Sequence, residues 1–232
     1  MIYEELTKLL QDNSDEKYKK FNSRIIPDTG KSYGVRLPFL KDIAKKIALE
    51  EDTTLLRNKL NSSDVYEDKL IEGFITAYSE YPDTREMLWY INRHINRINN
   101  WSLCDCFVSS LKKLVLANIE VFYKLANKSV KSKKPWVVRF GLILYVEYFN
   151  EQKYLEEILA DVENISIDHY YVKMGAAWLI AVLYLVNKDR VVQFINVTAV
   201  DKWTVNKACQ KIIESRRVSE EEKVFVKSLK RE

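Results

Sequence analysis

The feature that most constrains the fold is an aromatic residue that recurs at almost constant spacing through most of the chain. Successive members of the series lie 35, 35, 34 and 33 residues apart. Each follows a polar or proline-containing break and precedes an apolar helical pattern, and a more polar helical pattern then completes the unit. A period in the thirties with two helices per unit indicates an array of stacked helix pairs. The five residues are Tyr66, Trp101, Trp136, Tyr170 and Trp203.

The composition also favours an all-helical chain. Its 232 residues include only 5 glycines and 4 prolines, too few for the many turns of a β-sandwich or barrel. Charged residues make up 30% and hydrophobic residues 47%, which suits stacked amphipathic helices. We therefore predict an all-α fold, an α-solenoid of HEAT-like antiparallel helix pairs. A single domain is expected, with irregular cap helices in residues 1–60, regular repeats in residues 61–218 and a charged C-terminal cap in residues 219–232.

Several classes of protein are disfavoured by the residues present. Three cysteines cannot form a complete disulfide framework and no signal peptide is visible, so a cytoplasmic protein is expected. His94 and His169 lack metal-ligand spacing, and we predict neither a metal nor another cofactor. The longest apolar run, residues 174–186, has 13 residues, whereas a bilayer span needs about 20. This run predicts a buried helix.

A basic stripe accompanies the repeats. The residue three or four positions after each repeat aromatic is basic in all but one unit. One helical turn places it beside the aromatic on the same face, and stacking would align these pairs along a groove. The net charge of +4 does not demand an acidic partner, but cations interleaved with aromatics suit a nucleic acid. The series is Lys69, Asp105, Arg139, Lys173 and Lys207, and further positive charge comes from Arg36, Lys131, Lys133, Lys134, Lys211, Arg216 and Arg217.

Asp105 is the exception in this series and the main clue to function. Trp101 and Asp105 lie four residues apart, so a helix places them on one face, one turn apart. This face need not be core, because the same helix has a separate apolar face, and the indole and carboxylate can point outward together. The apolar face consists of Leu103, Phe107, Leu111 and Leu114.

Each of these signals also has a simpler structural interpretation. An aromatic at the start of a repeat is more often a packing wedge between units than a ligand contact, which we expect for Tyr66 and Trp203. Lysine and arginine on a helix surface are usually solvated. An aspartate in a first helical turn commonly stabilises the helix dipole, which could be the whole role of Asp105. Recurrence at one phase favours the functional interpretation.

Five segments match a known family in the right order over nearly the whole chain. They are Tyr33-Gly34-Val35-Arg36-Leu37-Pro38, Asn100-Trp101-Ser102-Leu103-Cys104-Asp105, Trp136-Val137-Val138-Arg139-Phe140, Tyr171-Val172-Lys173-Met174-Gly175-Ala176-Ala177-Trp178 and Asn206-Lys207-Ala208-Cys209-Gln210-Lys211. On these segments the chain resembles the bacterial DNA alkylation repair family, the HEAT-like-repeat alkylpurine DNA glycosylases. The resemblance implies a right-handed solenoid whose concave, basic face holds duplex DNA.

The resemblance also implies roles for individual residues. Trp101 and Trp178 would flank the deoxyribose of the damaged nucleotide, Asp105 would lie at the glycosidic bond, and Arg139 would grip a nearby phosphate. The substrates would be N3- and N7-alkylated purines, whose positive charge makes them good leaving groups without a general acid. A carboxylate near C1′ can then stabilise an oxocarbenium-like sugar and direct water, while indole faces attract the developing cation.

These inferences define a candidate site and a candidate partner. The catalytic candidates are Asp105, Trp101 and Trp178. The expected partner is double-stranded DNA, alkylated or distorted, bound by a monomer that associates with the nucleoid. The candidate DNA-binding residues are Arg139, Lys69, Lys173, Lys207, Arg36, Tyr66 and Lys134.

One segment departs from the family pattern and leaves three functions open. Family glycosylases approach the lesion with their second helix, whereas here that helix is predicted to run from a cap at residues 13–15 to about Ile26, stopped by Pro27 and Gly30. Monofunctional glycosylase activity is the leading hypothesis. A non-catalytic binder of damaged or unusual DNA is the second. A protein-interaction scaffold, a common role of α-solenoids, ranks lowest because it gives no reason for the tryptophan, aspartate and arginine combination.

Overall fold

The computed structural model describes all 232 residues as fifteen α-helices and one short 3₁₀ helix, with no β-strand. The all-α class is thereby confirmed. The chain divides into two compact units, Met1–Ala117 and Asn118–Glu232. The HEAT-like solenoid and the division into residues 1–60, 61–218 and 219–232 stay predictions.

The helices of each unit follow one another with short connections. The first unit contains α1 (Tyr3–Asp12), α2 (Glu16–Ile25), α3 (Leu37–Ile47), α4 (Thr54–Ser62), α5 (Tyr66–Tyr78), α6 (Thr84–Ile95), α7 (Trp101–Ser110) and α8 (Lys112–Ala117). The second contains α9 (Ile119–Val130), α10 (Pro135–Tyr148), the 3₁₀ helix (Gln152–Tyr154), α11 (Leu155–Glu163), α12 (Tyr170–Tyr184), α13 (Lys188–Val197), α14 (Lys202–Glu214) and α15 (Glu220–Ser228).

The repeat aromatics mark the starts of helices, as the spacing predicts. Each of the five is the first or second residue of α5, α7, α10, α12 or α14. The polar breaks before them supply helix caps: the Asn100 side chain accepts a hydrogen bond from the Leu103 N–H, and Asp201 accepts one from the Thr204 N–H. Pro135 occupies the first position of α10, where a backbone N–H would have no partner within the helix, so its absence breaks no hydrogen bond.

Helices that begin with a repeat aromatic pack against one another within each unit. In the first unit α5 lies between α3 and α7, and in the second α12 lies between α10 and α14. The intervening helices α6 and α13 pack against α5 and α12 respectively. The predicted buried helix in residues 174–186 is confirmed, because most side chains of α12 from Gly175 onward are buried. None of the fifteen helices combines the length and the apolar composition that a membrane crossing requires.

The buried carboxylate of Glu67 holds the loop between α2 and α3. Its oxygens accept hydrogen bonds from the Ser32 hydroxyl at 2.8 Å and from the backbone N–H groups of Tyr33, Gly34 and Val35 at 2.9, 2.8 and 3.2 Å. A buried carboxylate is tolerated only when hydrogen bonds replace its hydration, and here four donors do so. The first helical turn of α5 therefore fixes the conformation of this loop.

Gly34 in this loop brings the chain close to the start of α2. Its φ of +85° is a conformation that side chains disfavour, and its carbonyl accepts a hydrogen bond from the Asp15 N–H at 3.0 Å. A Cβ atom at this position would lie 2.8 Å from both the Asp15 carbonyl oxygen and the Lys19 Cβ. The absence of a side chain therefore allows α2 to pack here.

A second buried carboxylate joins α5 to α6. Glu72 accepts from His94 Nδ1 at 2.6 Å and pairs with Arg93 at 3.1 Å. Burial alone would raise the pKa of Glu72, but the hydrogen bond and charge of His94, together with Arg93, lower it to about 2. The His94 ring fills the space left by the missing Cβ of Gly73 and lies 4.3 Å from the Phe107 ring of α7.

We predict that Gly34→Ala lowers the free energy of unfolding by about 2–4 kcal/mol, from backbone strain together with overpacking. Gly30→Ala is the matched control, because Gly30 also has a positive φ of +61° but a Cβ there would meet only the Asp64 carbonyl oxygen at 3.9 Å. Its expected loss is about 1 kcal/mol. Urea unfolding measured by circular dichroism compares the two, and equal losses would show that close approach to α2 is unimportant.

We predict that Glu72→Gln lowers the free energy of unfolding at pH 7 by about 3 kcal/mol, because the carboxylate with a lowered pKa is the more stable ionised form in the folded state. This advantage of the parent is complete above the ordinary pKa of 4.5 and disappears as the pH falls towards 2. Urea unfolding between pH 7 and pH 3 measures the difference. Glu86→Gln, at an exposed position of the neighbouring helix α6, serves as control. A difference that does not change with pH would contradict the prediction.

Candidate nucleic-acid interface

Helix α7 presents Trp101 and Asp105 as the sequence predicts. Asn100 caps the helix by accepting from the Leu103 N–H at 3.0 Å, which fixes its first residue. Trp101 and Asp105 are both partly exposed on one side of this helix. The predicted apolar face of this helix is confirmed for Leu103 and Phe107, which are buried; Leu111 and Leu114 are buried too, but α7 ends at Ser110, so Leu111 follows it and Leu114 lies on α8.

The end of α2 is tied to the beginning of α7. The Trp101 indole N–H donates to the Ile25 carbonyl oxygen at 3.1 Å, and the Asn99 amide donates to the Asp28 carbonyl oxygen at 3.2 Å. Asp28 itself has a positive φ of 53°, which turns the chain after the helix. Residues 14–31 therefore contain a helix, Glu16–Ile25, that ends beside Trp101, in agreement with the predicted extent to about Ile26.

Helix α2 exposes a surface that combines apolar and basic side chains. Phe21 is 56% exposed and Ile25, one turn later, is 46% exposed. Lys17, Lys20 and Arg24 are exposed around them. The sequence pattern did not reveal this surface, because Phe21 and Ile25 have the spacing of core positions in an amphipathic helix. An exposed aromatic and aliphatic pair with flanking cations suits contact with a nucleic acid groove.

Two predicted cations of the first unit are engaged in internal ion pairs. Arg36 pairs with Asp15 at 2.8 Å and lies over the Tyr18 ring at 5.0 Å, although much of its side chain remains exposed. Lys69 Nζ lies 3.7 Å from Asp64, and burial of its side chain lowers the pKa of the ammonium group. Arg36 thus presents its charge to solvent, and Lys69 does so only in small part.

Tyr66 is placed as a packing residue. Its side chain is 1% exposed, and its hydroxyl shares a hydrogen bond of 2.7 Å with the Ser102 hydroxyl of α7. Burial raises the pKa of the Tyr66 phenol, which keeps the ring neutral. A buried ring cannot stack on a nucleotide in this conformation, so the alternative of a packing wedge fits Tyr66 better than the predicted DNA contact.

In the second unit, aromatic side chains form a continuous row across α10, α12 and α14. The Trp136 ring stacks on Tyr171 with centroids 5.2 Å apart, Tyr171 contacts Tyr170 at 4.9 Å, and Tyr170 contacts Trp203 at 5.6 Å. We call these four residues the aromatic row. Three of them start repeats, whereas Tyr171 lies one position outside the periodic series and was not singled out for that reason.

Arg139 lies beneath this row and is largely enclosed. It is 6% exposed, donates to the Tyr171 carbonyl oxygen at 2.8 Å and lies 5.9 Å from the centre of the Tyr171 ring. Burial lowers the pKa of Lys211, and the nearby charges of Lys207 and Arg139 lower it further, against the opposing effect of Glu214. A cluster of positive charge is therefore present where α10 and α14 carry Arg139, Lys207 and Lys211.

The remaining candidates of the second unit differ in how available their charge is. Lys173 Nζ lies 2.7 Å from Asp168 and 3.6 Å from Asp201, and the hydrogen bond to Asp168 is the main cause of its raised pKa. Lys207 donates to the Gln210 amide oxygen at 3.0 Å. Lys134 is exposed at the start of α10, and Trp178 is partly exposed on α12. Lys134 is thus the more accessible cation, whereas Lys173 and Lys207 are half-buried.

The site residues belong to two units with different local chemistry. The first unit contributes Trp101 and Asp105, an indole and a carboxylate. The second contributes Arg139 and Trp178. No group of three histidine, cysteine, aspartate or glutamate side chains is arranged to hold a metal ion.

We predict that Trp101→Phe, which keeps a ring but removes the indole N–H, loosens the end of α2. Loss of one hydrogen bond worth about 0.5–1.5 kcal/mol should accelerate amide exchange in residues 23–30 by about 2- to 10-fold. Hydrogen–deuterium exchange by mass spectrometry measures this. Trp89→Phe, at another exposed tryptophan of the first unit, is the control and should leave residues 23–30 unchanged. Unchanged exchange in Trp101→Phe would mean that the indole does not hold α2.

Comparison with known proteins identifies a family that covers most of the chain. A family model described as DNA alkylation repair enzyme matches residues 6–212. No curated protein and no solved structure matches the chain significantly. The family match includes most of α1, all of α2 to α13 and most of α14, and it contains every candidate site residue. The chain therefore belongs to the DNA alkylation repair enzyme family.

Proposed function

We propose that this protein binds double-stranded DNA and hydrolyses the N-glycosidic bond of N3- and N7-alkylated purines. The observation that carries the proposal is the pair Trp101 and Asp105, held on one partly exposed face of α7 by the Asn100 cap. Family membership implies DNA as the partner. A carboxylate beside an indole on a repeat protein that meets DNA suits chemistry at a sugar carbon.

In the proposed reaction the C1′–N bond breaks and its electron pair leaves with the base. The alkylated purine already carries a positive charge, so it departs as a neutral base without a proton from the protein. Asp105 stabilises the positive charge that develops at C1′ and O4′ of the sugar, and it orients a water molecule. The water oxygen forms the new bond to C1′, its proton passes to the carboxylate or to solvent, and an abasic sugar remains.

The indoles have a different task in this proposal. Trp101 presents its face to the sugar, where an electron-rich ring favours a developing cation, and the same task stays a prediction for Trp178. The indole N–H of Trp101 is bonded to Ile25, which fixes the orientation of the ring. A preorganised ring loses little entropy when the nucleotide arrives. Neither a metal nor an organic cofactor has a step in this reaction.

DNA binding is proposed to rest on the basic residues near the repeat starts, within a HEAT-like arrangement that forms a basic groove. The cations release counterions when they meet phosphates, so affinity should fall steeply with salt. Tyr66 is omitted because it is buried. Arg139 contributes charge from below the surface rather than as an open clamp. The proposed contacts are Arg36, Lys134, Lys173 and Lys207, with a smaller contribution from Lys69.

A non-catalytic binder of damaged or unusual DNA is the second candidate. Two observations favour it: the Trp101 N–H is engaged by α2, and Arg139 is 6% exposed, so one residue proposed for the reaction and one proposed to attract the DNA are partly withdrawn. Such a protein would bind DNA with the same salt dependence. It would produce no abasic sites.

We predict that Asp105→Asn reduces release of 7-methylguanine from methylated duplex DNA by at least about 100-fold, because one electrostatic stabiliser of a transition state is typically worth that factor. Duplex affinity should change little, since the substitution removes a negative charge without removing a phosphate contact. Release is measured by chromatography of the free base and affinity by fluorescence anisotropy on the same samples.

The control for this experiment is Asp42→Asn, an exposed aspartate on α3 that should alter neither quantity. Equal release by Asp105→Asn and the parent would remove Asp105 from the mechanism. Tight binding by both proteins with no release by either would establish the non-catalytic binder. Failure of the parent to bind duplex DNA would overturn both candidates.

A further inference from the structure

We propose that a cavity at the start of α14 holds one unpaired nucleotide of a DNA strand, in addition to the duplex. The proposal rests on the proposed DNA binding and extends it to the class of DNA recognised. The cavity has a volume of about 560 Å³, within the range of roughly 300–1,000 Å³ typical of small-ligand sites. It is lined by Lys202, Trp203, Asn206, Lys207, Gln210 and Lys230.

The aromatic wall of the cavity is exposed rather than packed. Trp203 is 40% exposed and its neighbour Tyr170 is 55% exposed, with the two rings tilted by 58° and 5.6 Å apart. The repeat-start tryptophan is therefore not the enclosed packing wedge that its position in the series predicts. Two adjacent exposed aromatic rings indicate a contact surface, because burying them would be favourable.

The charged wall of the cavity consists of lysines alone. Lys202, Lys207 and Lys230 line it, and no aspartate or glutamate does. Lys207 is oriented by its hydrogen bond of 3.0 Å to Gln210. An indole face beside three ammonium groups matches a ligand that has both a flat ring and a phosphate, which describes a nucleotide.

Hydrogen bonds hold the C-terminal segment that carries Lys230, so the position of this lysine in the cavity wall is fixed. The Asn206 side chain donates to the Arg231 carbonyl at 2.9 Å and accepts from the Arg231 N–H at 2.8 Å. The Arg231 guanidinium in turn donates to three backbone carbonyls at the end of α13. These are Ile195, Thr198 and Val200, at 3.0, 2.7 and 2.7 Å.

The geometry points to an unpaired nucleotide and not to a base pair. Inside a duplex both faces of each base are covered by its neighbours, so an indole can stack only on a base that has left the stack. A strand end, a gap or a flap offers such a base beside a duplex. The cavity would therefore give preference to DNA in which a duplex adjoins single-stranded nucleotides.

The test compares two fluorescent DNA hairpins with the same duplex stem, one blunt and one with a four-thymidine single-stranded overhang. Stacking of one base should make the parent protein bind the overhang DNA about 5- to 100-fold more tightly than the blunt DNA. Trp203→Ala should abolish this preference while blunt-DNA affinity changes less than about 2-fold. Trp203→Phe, which retains a ring, should keep most of the preference.

Trp89→Ala is the matched control, because Trp89 is also exposed and lies beside a cation, with Arg93 5.0 Å from its ring, but it lines no part of this cavity. It should retain the full preference. Equal affinity of the parent for both hairpins, or an unchanged preference in Trp203→Ala, would overturn the cavity proposal while duplex binding stands. If the parent binds neither hairpin, the proposed function itself fails.

A last arm distinguishes a DNA strand from a free nucleotide. Thymidine monophosphate is titrated against the parent and Trp203→Ala with tryptophan emission as the readout. Quenching of the parent only at concentrations about 100-fold above those of the overhang DNA supports a strand, because the neighbouring duplex then supplies the remaining affinity. Quenching at the same concentrations as the overhang DNA would show a free-nucleotide site and overturn the proposal.

Discussion

The hydrogen bonds that surround one buried carboxyl group, that of Glu67, underlie the arrangement of the first unit. The buried carboxyl group of Glu67 is tolerated in the interior only because the Ser32 hydroxyl and three successive backbone N–H groups replace its hydration. These bonds hold the loop at Gly34, whose carbonyl oxygen accepts a hydrogen bond from the N–H of Asp15, the residue before α2. Helix α2 ends at the Trp101 indole. The orientation of a residue proposed to contact the sugar thus depends on a glutamate one helix away.

Arginine side chains perform a corresponding structural task at several places in the chain. Arg97 donates to the Leu60 carbonyl at 2.8 Å and to the Ser63 carbonyl, at the end of α4. Arg139 donates to Tyr171, and Arg231 satisfies carbonyls at the end of α13. In each case a planar, permanently charged group bonds to backbone carbonyls 31–37 residues away in the sequence. Guanidinium groups therefore join segments that are distant in the sequence.

The sequence predicts helix phase well and side-chain exposure less well, as the repeat aromatics illustrate. Tyr66 and Trp203 occupy the same position in the series, yet one is 1% exposed and the other 40%. The reason is tertiary: α5 has a helix on each side, α3 and α7, whereas α14 has α12 on one side and the short α15 after it. Periodicity identifies the face of a helix, but the neighbouring helices decide whether that face is covered. Arg139 is enclosed for the same reason.

The imidazole of His94 occupies the volume in which a side chain of residue 73 would lie, and residue 73 is a glycine. A Cβ at Gly73 would lie 2.6 Å from the imidazole, too close for any side chain. A histidine at position 94 therefore demands glycine at position 73, and a smaller residue at 94 would release that demand. In evolutionary terms the two positions should change together among related sequences, with the acidic partner Glu72 expected wherever the histidine is kept. A lineage could leave this arrangement only through a first step that destabilises the protein.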